Sequence, residues 1–467
     1  MTFVTSLPNG SFTMIFEQHY LDCLSQASYF IGDETTGRGV VVDPRRDISP
    51  YLESAAAAGM TIEHVIETHF HADFLSGHLE LAAATGADIC YGDVADTEFA
   101  SRPLAHGERL SLGEVELEIR HTPGHTPESI SIVVFEKGDD EVPYGVLTGD
   151  TLFIGDVGRP DLLSSKGVTA DELAGSLYDS LHSQLMTLPD ETRVYPAHGA
   201  GSSCGKNLSS DTWSSIGAQR ESNYALADMT KDEFIAVVTE GQSSPPAYFA
   251  YDAGLNRADR ALLDEHAVPM SLTVSDIVSR GDSVVVLDTR GPAAFAESHL
   301  EGSLNIGLGG RFAEFAGGLI APEDDIVLIT DEGAELESKN RLGRIGFDNV
   351  VGALGSSDAG FQAAADGHRA GRVDVAGMEV ALADQPDTQL LDIRGPGETA
   401  DGIIPGATVI PLPKLAEQCG TLDKSKPVLM YCAGGYRSSI GASLLRQHGF
   451  TDVVDLVGGY DAWSESV

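Results

Sequence analysis

The densest run of chemically competent side chains is Thr68-His69-Phe70-His71-Ala72-Asp73-Phe74-Leu75-Ser76-Gly77-His78, directly after the apolar pair Val65-Ile66. Imidazoles and a carboxylate at alternating positions past a strand end can converge on one metal, because an extended segment sends alternate side chains to the same side. Residues of ligand type continue in three further turns: His125 in His121-Thr122-Pro123-Gly124-His125-Thr126, Asp150 in Thr148-Gly149-Asp150-Thr151, and His198 in Tyr195-Pro196-Ala197-His198-Gly199. Together these turns predict a metal site.

A second motif runs from Val428-Leu429-Met430-Tyr431 into Cys432, then Ala433, Gly434, Gly435, Tyr436, Arg437 and Ser438. It reads as a buried strand, a Gly-bearing loop and a helix start. Backbone N–H groups gathered in such a loop, near a helix N-terminus, stabilise a thiolate and any anion attached to it. The alternative is a buried structural cysteine.

The elements that must position these groups show two textures. Up to about residue 205, short β-branched runs such as Gly39-Val40-Val41-Val42-Asp43 alternate with histidine-bearing turns, the pattern of strands feeding loops. From about Ser209 to Glu265 the pattern turns helical, with Ile216, Tyr224, Phe234 and Leu262 as its apolar positions, and Ala267-Val268-Pro269 follows as a boundary. Beyond it Leu287-Asp288-Thr289-Arg290-Gly291-Pro292 recurs as Leu391-Asp392-Ile393-Arg394-Gly395-Pro396. Gly302 to Ile306 recurs in the same register as Gly406 to Ile410. Each copy alternates apolar strands (Val284 to Leu287 and Ile326 to Ile329; Gln389 to Leu391 and Val428 to Tyr431) with helical stretches, which predicts two parallel α/β modules.

Composition narrows the function classes. At 467 residues the chain is long enough for about three domains. The excess of 71 acidic over 29 basic residues, a formal charge of -42, repels nucleic acid and anionic lipid, so neither is expected as a partner. The acidic residues are dispersed rather than gathered in a tail, which suits a salt-rich cytoplasm; an ordinary acidic protein is the alternative. No apolar run approaches the roughly 18 residues that span a bilayer, and no Lys or Arg precedes Arg38. A cytoplasmic location follows as the expectation. Cys23, Cys90, Cys204, Cys419 and Cys432 form no CxxC pair, which argues against a disulfide framework or a zinc knuckle. Cys23, Cys90 and Cys419 read as structural.

On the four histidine- and aspartate-bearing turns, residues 1–265 resemble the metallo-β-lactamase superfamily, an αβ/βα sandwich with metal at its strand ends. Within it the resemblance is nearest to persulfide dioxygenases. Hydrolases of the glyoxalase II type carry a histidine directly after the motif aspartate, helping to hold a second metal; Phe74 stands there and cannot ligate. The resemblance implies one Fe(II) per chain on His69, His125 and Asp150, with positions open for a substrate sulfur and O2. His71, Asp73 and His198 would then orient ligands and water. Direct ligation by those three in a dinuclear zinc hydrolase, a thioester hydrolase or lactonase, is the alternative.

The loops Gly155 to Asp161 and Gly201 to Lys206 also resemble those of bacterial persulfide dioxygenases. Arg159 is a candidate for binding a carboxylate of the thiol carrier, or else an ion-pair partner of Asp161 or Asp156. Cys204 is a candidate for approaching the metal pocket and influencing or accepting persulfide sulfur, or else an inert thiol.

Residues 367–467 resemble a rhodanese domain, whose cysteine carries sulfur as a persulfide, and Gly459-Tyr460-Asp461-Ala462-Trp463 also fits. Four residues separate Cys432 from Arg437, one fewer than in related phosphatases, which favours sulfur over phosphate. Residues 266–366 resemble a second rhodanese-like domain in which Asp331 is aligned with the cysteine, implying a catalytically silent module with a packing or docking role. The whole implies three-layer α/β/α modules behind the sandwich. It also implies partners of small size: a low-molecular-weight thiol persulfide, O2, and sulfite or thiosulfate. A homo-oligomer is compatible with the sequence.

Overall fold

A computed structural model describes residues 14–162, 167–242 and 244–466. It divides into two compact units. One ends at Glu265 and takes in Gly343–Gly346; the other holds His266–Leu342 and the residues from Phe347 onward.

The first unit has two six-stranded sheets. One orders its strands β1 (Met14–Leu21), β2 (Gln26–Asp33), β3 (Arg38–Val42), β4 (Thr61–Ile66), β5 (Asp88–Gly92) and β6 (Arg102–Leu104) side by side. The other comprises β7 (Arg109–Ser111), β8 (Glu116–His121), β9 (Ile130–Phe135), β10 (Gly145–Gly149), β11 (Arg193–Pro196) and β12 (Ser214–Ser215), again in neighbouring order. Period-two alternation builds the layers. Val40, Val42 and Ile66 point inward to meet Ile130, Ile132 and Val134 from the facing sheet. Val41 and Val65 point outward onto the helix Ser49–Ala58 and its neighbours. On the other side Val133 and Phe135 meet Ala174 and Leu177 of the helix Ala170–Ser180. Because both faces of β3 and β9 are buried, their sequences read as unbroken apolar runs; each fully buried Ile or Val side chain contributes about 1.5–3 kcal/mol. The result is the expected αβ/βα sandwich.

The expected helical stretch resolves into Ile216–Ser222, Lys231–Thr239 and Phe249–Leu255. Leu262 departs from it, lying outside any helix and 51% exposed. The cause is local: the Glu80 carboxylate accepts from Arg260 Nη1 at 2.7 Å and from the Leu263 backbone at 3.0 Å, so this segment is tied to a side chain instead of to its own carbonyls.

The second unit contains two parallel sheets. The first has β13 (Val284–Asp288), β14 (Leu304–Asn305), β15 (Asp325–Thr330) and β16 (Val350–Gly355), ordered β14-β13-β15-β16. The second has β17 (Gly371–Val373), β18 (Gln389–Asp392), β19 (Thr408–Val409), β20 (Val428–Tyr431) and β21 (Val453–Leu456), ordered β17-β21-β20-β18-β19. The repeat is structural as well as sequential. Arg290 forks onto Asp288 as Arg394 forks onto Asp392, in both cases at the end of the strand.

Pairing register corrects one assignment. Asp288 pairs with Ile329, and its counterpart Asp392 pairs with Tyr431. The position after Tyr431 is Cys432, so its counterpart is the residue after Ile329, which is the buried Thr330 and not Asp331. Asp331 is exposed, one place further along. Both strands are continuous apolar runs, so sliding one past the other by a residue costs nothing in sequence matching; the neighbouring strand sets the register. A threonine hydroxyl, like a carboxylate, cannot form a persulfide. Among the described residues no helix is long and apolar enough to cross a membrane.

Candidate metal centre and reactive cysteine

The four histidine- and aspartate-bearing turns gather at one end of the sandwich, each just past a strand: β4, β8, β10 and β11 lead to His69, His125, Asp150 and His198. Ligand-type atoms of His69, His125 and Asp150 lie within 4.8 Å of one another, and all three residues are buried. Asp150 Oδ2 is 3.8 Å from His69 Nε2 and 3.5 Å from His125 Nε2. Bonds of about 2.1 Å set 90–110° apart separate ligand atoms by about 3.0–3.4 Å, so a small inward shift closes the set on one ion. Among the described residues these three atoms have no hydrogen-bond partner. Buried polar atoms are ordinarily paired, and three orphans facing one point fit a metal cation.

Surrounding groups fix the ligands. His125 Nδ1 lies 2.8 Å from the Arg159 carbonyl, which requires Nδ1–H and leaves the Nε2 lone pair for the metal. His69 Nδ1 meets Thr68 Oγ1 at 3.0 Å, and Thr68 gives both its N–H and its hydroxyl to Asp43. Asp43 is held with φ at 50°, in the left-handed region, by this clasp. Burial pushes the His69 pKa well down, helped by His71, so the ring is neutral as a ligand must be. Burial also opposes ionisation of Asp150, but His198 and His69 outweigh it and hold the carboxyl below its ordinary range.

His198 stands between two carboxylates, Nδ1 at 2.8 Å from Asp150 Oδ1 and Nε2 at 2.7 Å from Asp73 Oδ2. Burial disfavours its protonation, yet the two anions raise its pKa well above the ordinary value. Cys204 completes a second buried group with Asp73 and His198. Burial, then Asp73 and Asp150, push its thiol well up, so it is protonated at neutral pH. His71 turns the other way, Nε2 at 3.1 Å from Asp43 and 3.5 Å from Glu67. The Phe74 ring, fully buried, packs on His71 at 4.3 Å between centroids. Arg159 is 1% exposed, forked onto Asp161 at 2.7 and 2.8 Å with a third bond to the Ser203 carbonyl. A cavity of about 260 Å³ reaches His125, lined by Phe70, Ala72, Leu162, Pro246 and Phe249 among others.

In the second unit Cys432 is 1% exposed at the end of β20, and its Sγ accepts the Gly435 N–H at 3.2 Å. Gly435 takes φ 88° and opens the helix Tyr436–Gln447. The far side of the loop is closed by Tyr460 and Asp461, whose N–H groups donate to the carbonyls of Cys432 and Ala433. Gly459 is needed there: φ is 58° and an added Cβ would sit 2.3 Å from the Cys432 oxygen. Arg437 does not point its charge at Cys432 alone; Nη1 holds Glu398 Oε2 at 2.7 Å. Ser438 lies beneath the loop, Oγ 3.8 Å from the sulfur.

Comparison with known proteins matches the domains that carry these groups. Residues 21–198 match the metallo-beta-lactamase superfamily, and residues 273–362 and 380–466 each match the rhodanese-like domain. The crystal structure of a metallo-beta-lactamase from Staphylococcus aureus is 33% identical, covering 73% of this chain and 99% of that one, with a TM-score of 0.66. The chain belongs to the metallo-β-lactamase superfamily. It carries tandem rhodanese-like domains behind the superfamily sandwich. Hydroxyacylglutathione hydrolase of Rhodospirillum rubrum is 33% identical over 36% of this chain, and human mitochondrial persulfide dioxygenase ETHE1 is 28% identical over 37%. The chain spans 60% and 63% of the length of these two relatives.

The site also depends on Asn256, which sequence reading missed, and on Asp156, which it offered only as an ion-pair partner of Arg159. Asn256 donates to the carbonyls of His71 and Phe74 at 2.8 and 2.9 Å and accepts the Ser76 N–H at 2.8 Å, pinning the whole metal-bearing turn. Asp156 gathers the N–H groups of Lys206 and Asn207 and the Tyr224 hydroxyl, which secures the Cys204 loop. Asn256 has no motif around it. A buried polar residue at the end of a helix, as at Asn256 after Phe249–Leu255, is the kind of signal that shows only once burial is known.

Proposed function

We propose that this enzyme is a mononuclear iron persulfide dioxygenase (RSSH + O2 + H2O → RSH + sulfite + 2H+) joined to a rhodanese-type sulfurtransferase. In this reading 1–265 oxidises, 266–366 is silent and 367–467 transfers sulfur. The observation that carries it is the set of three buried, unpartnered ligand atoms on His69, His125 and Asp150 beside a Phe74 ring that cannot ligate. Two imidazoles and one carboxylate suit Fe(II), which when bound supplies open positions and redox capacity for oxygen chemistry. The chain's own residues do the rest. His198, held between Asp73 and Asp150, orients the Asp150 carboxylate through Nδ1 while its Nε2 faces Asp73. Arg159 fixes the His125 tautomer through its carbonyl while its guanidinium braces the loop of Cys204. The Phe70, Leu162 and Phe249 walls exclude water from the approach.

In the last domain the Cys432 thiolate attacks the outer sulfur of a donor such as thiosulfate. Its S–S bond breaks, sulfite leaves with the bonding pair, and Cys432 persulfide remains in the N–H nest. A thiol acceptor then takes that sulfur and returns the thiolate. A second reading, a dinuclear zinc thioester hydrolase, has one observation in its favour: Asp73, His198 and Cys204 form another buried metal-competent group. Metal analysis of anaerobically purified protein separates the two, with about one iron per chain expected here and two zincs for the hydrolase.

A further inference from the structure

A cavity of about 610 Å³ over Cys432 is left unexplained, and part of its wall is foreign to the domain that owns the cysteine. Glu398, Cys432, Gly434, Tyr436 and Arg437 line one side; Gly309, Gly310, Arg311 and Phe315 of the cysteine-less module line the other. The two modules lock together beside it. The Tyr436 hydroxyl donates to the Gly307 carbonyl at 2.6 Å, Ser439 donates to Asn305 Oδ1 at 2.7 Å, and the Asn305 N–H donates to Ser443 at 2.9 Å. The last two bonds are buried, so the wall is built into the fold.

Size and charge both argue for an occupant larger than the sulfur donor. Pockets of about 300–1,000 Å³ suit whole organic ligands, far more than thiosulfate fills. The Arg437 charge is already matched by Glu398, which lies across two oxygens from it. Among the described residues Arg311 pairs with Glu314, one turn along its own helix, with side chains 38% and 20% exposed. Such surface pairs are weak, so an incoming carboxylate can displace Glu314. Gly309 leaves bare backbone at the mouth, and a Cβ there would meet no atom within 4 Å. The Phe315 ring packs against Tyr436 at 5.8 Å, giving the cation an apolar flank.

We propose that the cysteine-less module reads the organic part of the sulfur acceptor: Arg311, flanked by Phe315 and the bare Gly309-Gly310 backbone, binds a carboxylate of an anionic, tripeptide-sized thiol that takes sulfur from Cys432. This rests on the sulfurtransferase reading. The transfer is balanced, since the acceptor thiolate attacks the outer sulfur of the Cys432 persulfide, the S–S bond breaks and Cys432 leaves as thiolate, giving the acceptor persulfide.

The test measures sulfite released anaerobically from thiosulfate by the full chain, so that no oxygen-dependent sulfite contributes, with glutathione or cyanide as acceptor. Arg311→Ala should lower the ratio of glutathione to cyanide kcat/KM at least five-fold, and Arg311→Lys should recover most of it. Gly309→Leu, which fills the mouth without backbone strain, should lower the same ratio. A ratio changed less than five-fold in Arg311→Ala, including an equal loss with both acceptors, overturns the proposal while leaving sulfur transfer itself standing. No sulfite with cyanide in the parent protein refutes the sulfurtransferase reading and this proposal with it.

Discussion

Asn256 offers the sharpest test of how the metal-bearing turn is held. Its side chain is fully buried and makes three bonds of 2.8–2.9 Å to the backbone of residues 71–76. Asn256→Ala leaves two carbonyls and one N–H buried without partners. At about 1–3 kcal/mol for each such group, with some relief from relaxation, the cost is about 4 kcal/mol. A domain of this size loses about 2–4 °C per kcal/mol, so its melting temperature should fall by about 8–16 °C. Because the turn carries His69, His71 and Asp73, metal affinity should fall as well, by about 10–100-fold. Asn256→Asp sharpens the test. It preserves shape and the acceptor for Ser76 but faces two carbonyls with a carboxylate, so it should destabilise at least as much. The assay is thermal unfolding of the metal-loaded protein with chelator titration of bound metal. An Asn256→Asp protein that melts within about 2 °C of the parent and holds its metal equally would refute the reasoning.

Further outcomes follow from the same geometry. Cys432→Ser should abolish thiosulfate-dependent sulfur transfer while leaving persulfide-dependent oxygen uptake near the parent level, because a serine hydroxyl stays protonated at neutral pH; retained transfer would remove Cys432 from the chemistry. Phe74→His should raise bound metal above one per chain, read by elemental analysis, since it restores a ligand type beside Asp73 and His198. Burial works against protonation of His71, but Asp43 and Glu67 outweigh it and lift its pKa to about 10. Its stabilising charge is then fully present below about 6.5 and is lost as pH climbs towards 10, so metal-free protein should melt lower at pH 9.5 than at 6.5 and His71→Gln should flatten that slope. Finally, a formal charge of -42 acts over a Debye length of about 30 Å at 0.01 M salt but about 3 Å at 1 M. The melting temperature should therefore rise with salt, and an unchanged value would remove the halophilic reading.

What was legible in the sequence was whatever sits next to a strong local signal. His69, His125, Asp150 and His198 each follow an apolar strand, and strand ends are where an α/β sandwich places its loops, so their convergence followed from chain order. Cys432 was legible for the same reason. Asn256 was not, because its partners lie about 180 residues away and an asparagine at a helix end carries no pattern that points to them. The helix read through Leu262 failed where Glu80, remote in sequence, claims the Leu263 N–H. Thr330 was passed over for Asp331 because strand register is decided by neighbours. Arg159 left two readings open in sequence; in the fold its guanidinium lies buried on Asp161, a partner only two residues away.

The most direct test of the central claim is oxygen uptake by anaerobically purified, iron-loaded protein given a low-molecular-weight persulfide. One sulfite should appear for each O2 consumed, and His69→Ala, which removes one of the three proposed iron ligands, should lose both the iron and the uptake. Full oxygen consumption by His69→Ala, or two zincs per chain with no uptake in the parent, would contradict it.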